Sequence, residues 1–197
     1  MKDQASGLPG PRLHHVNLKT RRMDDMIDWY GKVAGMRVQF KSAHGAWLTN
    51  DAANHRIAFL STPALSDDAD KLSHTGMHHL AFEFDDLDQL LDAYVRLRGE
   101  GIVPHAGLDH GMTLSFYYVD PDGNSVELQT DQFGDWAASS EFMRSSPVFA
   151  RNPIGESVDG DRLIDARAAG ASADEIHRRA YAGEFAPQTP LDLRLPT

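Results

Sequence analysis

Two histidines and a glutamate occupy positions from which they could share a metal ion. His15 and His79 each follow a second histidine in a short apolar segment, and Glu127 lies between two apolar residues further along the chain. Because the side chains of a β-strand alternate between its two faces, all three should point away from the apolar neighbours that enter a core. A carboxylate pointing inward is costly unless it is paired or bound to metal. Two imidazoles and one carboxylate form the facial triad of non-heme Fe(II) oxygenases, which leaves positions open for substrate and dioxygen.

An internal repeat explains how the two histidines could meet. At an offset of 64 residues, from His15 to His79, the segment LHHV at 13–16 lies over MHHL at 77–80. Two copies are too few for a solenoid, so the pattern favours two fused copies of one unit. A pseudo-two-fold relation then places the histidines on opposite walls of one cup. Either histidine alone could be an ordinary core or surface residue, and the matched pair with an inward glutamate favours the metal.

Each copy predicts the order βαβββ. A strand covers 13–20 or 77–84, and an acidic N-cap region and a helix follow it. Gly35 and Gly99 stand where a C-cap glycine belongs. The remaining strands are expected near 36–42, 45–50, 55–62, 102–106, 112–119 and 124–130. The fold class is therefore α+β, with two fused βαβββ modules forming a cupped mixed sheet around a metal site, and a partly helical C-terminal tail.

The pattern divides the chain into three parts. Residues 1–11 lack the apolar segment of a signal peptide and are expected to be a disordered lead. Residues 12–130 form the repeat domain, and residues 131–197 form an extension with little strand pattern. The modules are 12–63 and 76–130, and the helical stretches of the extension lie near 160–169 and 173–182. Apolar residues such as Trp136 indicate that the extension packs on the domain or on a partner subunit.

Composition narrows the possible functions. The chain has 197 residues, a formal net charge of -10, 10 histidines and no cysteine. A chain this acidic offers no basic stripe for nucleic acid or anionic membranes, and its short apolar runs cannot span a bilayer. Without cysteine, any metal must be held by histidine and carboxylate. A cytoplasmic enzyme is expected, and exposed strand edges together with the apolar tail favour a homo-oligomer.

The segments LHHVNL, MHHLAFEFDDLDQLLDAY and FYYVDPDGNSVEL resemble the vicinal-oxygen-chelate superfamily, which includes glyoxalase I, bleomycin resistance proteins and extradiol dioxygenases. The resemblance covers about residues 12–130. In that family, the second histidine of the first strand and the glutamate after the DPDGN turn bind metal. The resemblance therefore implies His15, His79 and Glu127 as ligands, in agreement with the strand-face argument.

Two further motifs are similar to extradiol ring-cleaving dioxygenases of the catechol and biphenyl-2,3-diol type. NHRIAFLS implies that His55 is the acid–base catalyst, and the tyrosine before the glutamate implies that Tyr117 orients substrate, with His110 as a looser match. The resemblance implies a single-domain enzyme that uses Fe(II), with Mn(II) also suited to the ligands, to cleave an aromatic diol with O2. Taken alone, His55 could be an exposed strand residue, His110 a loop residue and Tyr117 a core residue.

Two alternatives remain open at this stage. A glyoxalase-like isomerase or lyase on the same fold commonly has four protein ligands. When the two repeats are aligned without gaps, Pro63 is the equivalent of Glu127. A second, symmetric glutamate is therefore missing, which favours a site with three ligands. A non-catalytic protein that binds an aromatic drug is the other alternative, but it would leave the three metal-type side chains unexplained.

Overall fold

The computed structural model describes residues 10–196, which contain two mixed β-sheets, one for each repeat. The first sheet has the strand order β1-β4-β3-β2 and the second has the order β5-β8-β7-β6-β9. The strands of the first are β1 (Val16–Lys19), β2 (Arg37–Lys41), β3 (Gly45–Thr49) and β4 (Ile57–Leu60). Those of the second are β5 (His79–Phe84), β6 (Ala106–Asp109), β7 (Thr113–Val119), β8 (Ser125–Asp131) and β9 (Glu156–Ser157). Most of the expected lead, residues 1–9, lies outside the described residues.

A helix follows the first strand of each sheet, which confirms the βαβββ order and the α+β class. Helix α1 (Met23–Ala34) and helix α2 (Leu87–Gly99) hold equivalent places, and a short 3₁₀ turn (Lys71–Ser73) lies between the modules. In both sheets the first and last strands of the module pair in parallel, β1 with β4 and β5 with β8. Parallel neighbours need a long connection, and the helix with the two strands that follow it provides this connection.

Two strand boundaries were predicted wrongly. The strand expected over 13–20 begins only at Val16, because its ladder with β4 starts where the Val16 amide donates to the Arg56 carbonyl, at 2.9 Å. The strand expected over 102–106 begins at Ala106, where its pairing with β7 starts. The chain cannot enter the sheet earlier, because the Ile102 amide still bonds back to the helix at Leu97 O.

The helix ends follow the predicted capping chemistry in part. Asp86 caps α2 by accepting a hydrogen bond from the Gln89 amide, and Gly35 ends α1 with a φ of 62°. The C-cap predicted at Gly99 is wrong, because α2 continues through it and the left-handed conformation falls on Gly101, whose φ is 78°. The αL conformation is needed where the chain reverses, and that point lies two residues later.

The modules and the extension share one hydrophobic core. Both helices bury one face against the sheets, and the largest buried side chains include Tyr30, Phe59 and Tyr118. The extension contributes Leu163 and Ile176 to this core. Its helices are α3 (Trp136–Ser145), α4 (Pro147–Arg151), α5 (Gly160–Ala168) and α6 (Ala173–Tyr181). Within residues 10–196, no helix has the length and apolar character needed to cross a membrane.

A buried carboxylate in the turn before β8 ties the two modules together. Asp120 is 3% exposed and accepts hydrogen bonds from the Tyr30 hydroxyl of α1 and from the amides of Asp122 and Asn124. Gly123 has a φ of 80° and closes the turn by donating to Asp120 O. The DPDGN segment therefore forms the predicted turn and also anchors the first helix.

Replacing Asp120 with alanine should lower the free energy of unfolding by about 3 kcal/mol, because Tyr30 and two turn amides would lose their acceptor. Urea unfolding of the metal-free protein measures the change. Asp165→Ala, at an exposed position of α5, is the matched control and should change stability by less than about 0.5 kcal/mol. Equal unfolding midpoints for both variants would contradict the role of Asp120.

Candidate functional site

The second sheet brings four of the predicted site residues together. Tyr117 in β7 lies directly across from Glu127 in β8, and His79 enters β5, the parallel neighbour of β8. Val126 and Leu128 belong to the main core, so Glu127 points to the opposite side of the sheet. The alternation of strand side chains thus places the carboxylate as the sequence predicts.

The four side chains form a continuous hydrogen-bonded chain. His79 Nε2 lies 3.1 Å from Glu127 Oε2. The Tyr117 hydroxyl donates to Glu127 Oε1 at 2.8 Å. His110 Nε2 lies 2.9 Å from the same hydroxyl. Each carboxylate oxygen therefore has its own partner.

Burial and neighbouring charges shift the pKa values of three of these hydrogen-bonded side chains. Burial alone would raise the pKa of Glu127, but contacts with His79, Ser115 and Tyr117 outweigh it and hold the pKa below its usual value. Burial and the neighbouring Glu127 charge raise the pKa of Tyr117, so its hydroxyl remains a donor. Burial lowers the pKa of His110, which favours a neutral imidazole. Glu127 is therefore the anion of this group, and the Tyr117 hydroxyl that donates to it is neutral.

The remaining predicted residues lie on the other wall. His15 precedes β1 and packs against His55, with ring centroids 4.3 Å apart. Nitrogens of His14, His15 and His55 lie within 4.8 Å of one another, the single such group of three metal-type residues within 10–196. His15 and His79 line one cavity of about 700 Å³. In this conformation the structure gathers His79 with Glu127 and His15 with His55, but it does not bring His15 into contact with Glu127.

The register of the sheets corrects one expectation from the repeat. Counting along the chain pairs Pro63 with Glu127, but Pro63 lies beyond the end of β4. In the sheets, Ala58 pairs with Asn17 as Glu127 pairs with Ala81, so Ala58 is the structural equivalent. The connection from the helix to the next strand is longer in the second module, residues 100–105 against residues 35–36, which shifts the offset. The first sheet still lacks a second glutamate at the equivalent position.

The donor set fits a first-row divalent metal. Two ligands at about 2.1 Å from a metal and at right angles to each other are about 3 Å apart. The 3.1 Å separation of His79 Nε2 and Glu127 Oε2 matches this spacing. Glu127 is 5% exposed, and a carboxylate buried so deeply needs a cation or several donors. His79 and Glu127 can therefore hold a metal from one side and leave the cavity side open.

Sequence reasoning missed His105, which lies beside the site. Its Nδ1 is 2.9 Å from the Asp192 carbonyl, and its Nε2 is 3.0 Å from Ser125 Oγ. Leu191 and Leu193 flank that carbonyl and pack on the cluster that contains Tyr117. No periodic signal connects residues so distant in the chain, so a pattern search could not have found this contact.

Three comparisons place the chain among known proteins. The model of the Glyoxalase/Bleomycin resistance protein/Dioxygenase superfamily matches residues 12–128. Biphenyl-2,3-diol 1,2-dioxygenase 2 of Rhodococcus globerulus is 38% identical over 91% of this chain and 94% of its own. Biphenyl-2,3-diol 1,2-dioxygenase 3 of the same organism is 37% identical over 87% of this chain and 90% of its own. The structure of a glyoxalase/dioxygenase from Nostoc punctiforme matches 61% of this chain and 90% of its own with a TM-score of 0.52 at 21% identity, which shows the fold.

Tyr117→Phe should lower the free energy of unfolding by about 1–3 kcal/mol, because a buried carboxylate loses a donor. The neighbouring Tyr118 gives a matched control. Its hydroxyl is buried on the other face and has no hydrogen-bond partner among the described residues, so Tyr118→Phe should be neutral or stabilising. Urea unfolding of both variants without metal compares them. A larger loss for Tyr118→Phe would contradict the hydrogen-bonded chain.

Proposed function

Because this chain belongs to the Glyoxalase/Bleomycin resistance protein/Dioxygenase superfamily, we propose that it is an Fe(II)-dependent extradiol ring-cleaving dioxygenase that acts on a catechol-type aromatic diol with O2. The main support for this activity is the similarity to biphenyl-2,3-diol 1,2-dioxygenase 2, which spans 180 residues and so includes much of the extension. The site adds the half-buried His79 paired with the buried Glu127, and a cavity that His79 lines.

His79 and Glu127 would hold the metal, with His15 as the third ligand. Held by these residues, Fe(II) would supply Lewis acidity toward the hydroxyl groups of the diol and redox chemistry toward dioxygen. His15 lines the same cavity as His79, but its ring now contacts His14 and His55. Completion of the triad therefore requires the His15 ring to turn toward His79. Its place before the first ladder bond of β1 leaves this segment free of strand pairing.

The remaining polar residues would handle the protons of the diol. His55 packs against His15, which lines the cavity, and an imidazole can accept a proton near neutral pH and return it later. Tyr117 and His110 lie beside Glu127 instead. Because the Tyr117 proton is held by Glu127 and its lone pair faces His110, the hydroxyl has a fixed direction. Tyr117 and His110 would therefore orient the substrate rather than move its proton.

The cavity suits an aromatic substrate. Its volume of about 700 Å³ falls within the range of small-molecule sites. Apolar side chains from both modules line it beside the histidines, among them the exposed Leu13 and Met77 and the half-buried Val16 and Phe82. An aromatic ring would be desolvated against these side chains while its two hydroxyl groups reach the metal. We propose an aryl-substituted catechol, because a second ring would bury more of this lining.

Oxygen uptake by protein loaded anaerobically with Fe(II) tests the function. With 2,3-dihydroxybiphenyl we expect oxygen consumption and a coloured ring-opened product, and a lower kcat/KM with unsubstituted catechol. His79→Ala and Glu127→Gln should each reduce bound iron or turnover by about tenfold or more. Loading with Mn(II) under the same conditions compares the two metals directly.

His14→Ala is the matched control for these variants, because His14 is the third member of the His14, His15 and His55 group but not of the proposed triad. Iron content and turnover should stay near the wild-type values. If His14→Ala loses iron while Glu127→Gln keeps it, the metal lies at the three-histidine group and the triad is wrong. Iron-loaded protein that consumes no oxygen with any diol would contradict the dioxygenase itself.

A further inference from the structure

A buried carboxylate connects the C-terminal extension to the turn that carries His110. Asp109, the last residue of β6, is 0% exposed. Its Oδ2 lies 2.7 Å from Nδ1 of His177 in α6, and its Oδ1 accepts a hydrogen bond from the Gly111 amide at 2.8 Å. One carboxylate therefore bonds to the extension with one oxygen and to the turn with the other. His110 is the residue between Asp109 and Gly111.

The extension also encloses this turn sterically. Gly111 has a φ of +88°, and a Cβ added there would lie 2.7 Å from the Tyr181 ring and 2.9 Å from Phe142. On the other side, β9 pairs with β6 and places Glu156 opposite Asp109. Elements of the extension thus contact the turn from two directions. The backbone around His110 cannot shift without moving these side chains.

The turn determines where the His110 ring lies. The His110 amide donates to the Thr113 carbonyl at 2.8 Å, which closes the β6–β7 connection. The ring then reaches Tyr117, whose hydroxyl in turn donates to Glu127. A displacement of the turn would therefore reach the site through His110. Within residues 10–196, His177 forms a hydrogen bond with Asp109 and with no proposed metal ligand, so its effect would be indirect.

Stability alone is a weak reason for such a pair. Removing a carboxylate and an imidazole from water is costly, and apolar residues of similar size often stabilise a protein equally well. The pair offers direction, which an apolar contact lacks, because Asp109 bonds to the Gly111 amide with one oxygen and to His177 with the other. The geometry is that of an outer partner that orients a functional side chain.

We propose that His177 is a positioning residue for ring cleavage: through Asp109 it fixes the 109–111 turn and so holds His110 against Tyr117. The expected effect of His177 on kcat rests on the proposed function, whereas its expected effect on the 109–111 turn does not. The extension then serves the reaction by fixing His110 in the turn between β6 and β7, although it contributes no residue of the proposed metal triad.

Two substitutions of His177 separate orientation from packing. His177→Asn can place an amide N–H where Nδ1 lies, whereas His177→Leu fills space without a donor. In iron-loaded protein, His177→Leu should lower kcat per bound iron by about tenfold with unchanged iron content, and His177→Asn should stay within about twofold of wild type. Arg178→Ala, at an exposed position of the same helix, is the control and should behave as wild type. A general loss of packing would lower thermal stability and active fraction without this pattern of rescue.

A double-mutant cycle tests the route through His110. In the His110→Ala variant, whose kcat is already reduced, adding His177→Leu should change kcat by less than about twofold. If His177 acts through His110, the effects of the two substitutions are coupled and do not add. The same tenfold loss in both backgrounds would overturn the proposal. Equal kcat for His177→Leu and wild type would overturn it as well.

Hydrogen–deuterium exchange of the metal-free protein provides a readout independent of turnover. Peptides covering the 109–113 turn should exchange faster in His177→Leu than in wild type, and near the wild-type rate in His177→Asn. Unchanged exchange in His177→Leu would overturn the proposal that His177 fixes the turn. If wild-type protein cleaves no diol, the proposed function fails, and the exchange result alone decides whether His177 fixes the turn.

Discussion

The buried charge of Glu127 is the interaction on which the arrangement of the second sheet depends. A carboxylate that is 5% exposed must be compensated, and its two oxygens are assigned to different strands, one to Tyr117 and one to His79. Both partners are set by the ladder, since Tyr117 is the direct cross-strand neighbour and His79 lies on the adjacent parallel strand. The strand register therefore fixes the direction of the carboxylate, and His110 extends the same chain.

The duplicated unit keeps this chemistry in only one copy. Where the second sheet has Glu127 opposite Tyr117, the first has Ala58 opposite Trp47. Ala58 is 1% exposed, so its position is as buried as that of Glu127 but needs no compensation. The first module can therefore supply histidines to the shared cavity without a charged centre of its own. This asymmetry favours one metal site for the pair of modules.

Local patterns predicted the fold well and the contacts of the site less completely. Alternation assigned the correct face to Glu127, and the repeat predicted both βαβββ units, because these depend on neighbours within one element. Strand starts such as Val16 depend on where a distant partner begins to pair, and Pro63 was matched to Glu127 because connection lengths differ between the copies. The contacts of His105 with Asp192 and of His177 with Asp109 join residues 87 and 68 positions apart, which no local pattern records.

The extension is what separates this chain from a bare two-module fold. The Nostoc punctiforme structure covers 61% of this chain, whereas the Rhodococcus globerulus relative covers 91%. In this chain the added residues pack Leu191 and Leu193 on the Tyr117 cluster, and the Leu193 carbonyl lies 2.8 Å from Nε2 of His78, the neighbour of His79. Metal-type residues on the sheets are compatible with many reactions of the superfamily. The extension packs beside Tyr117 and bonds through His177 to Asp109, so its residues border the candidate site that the sheets carry.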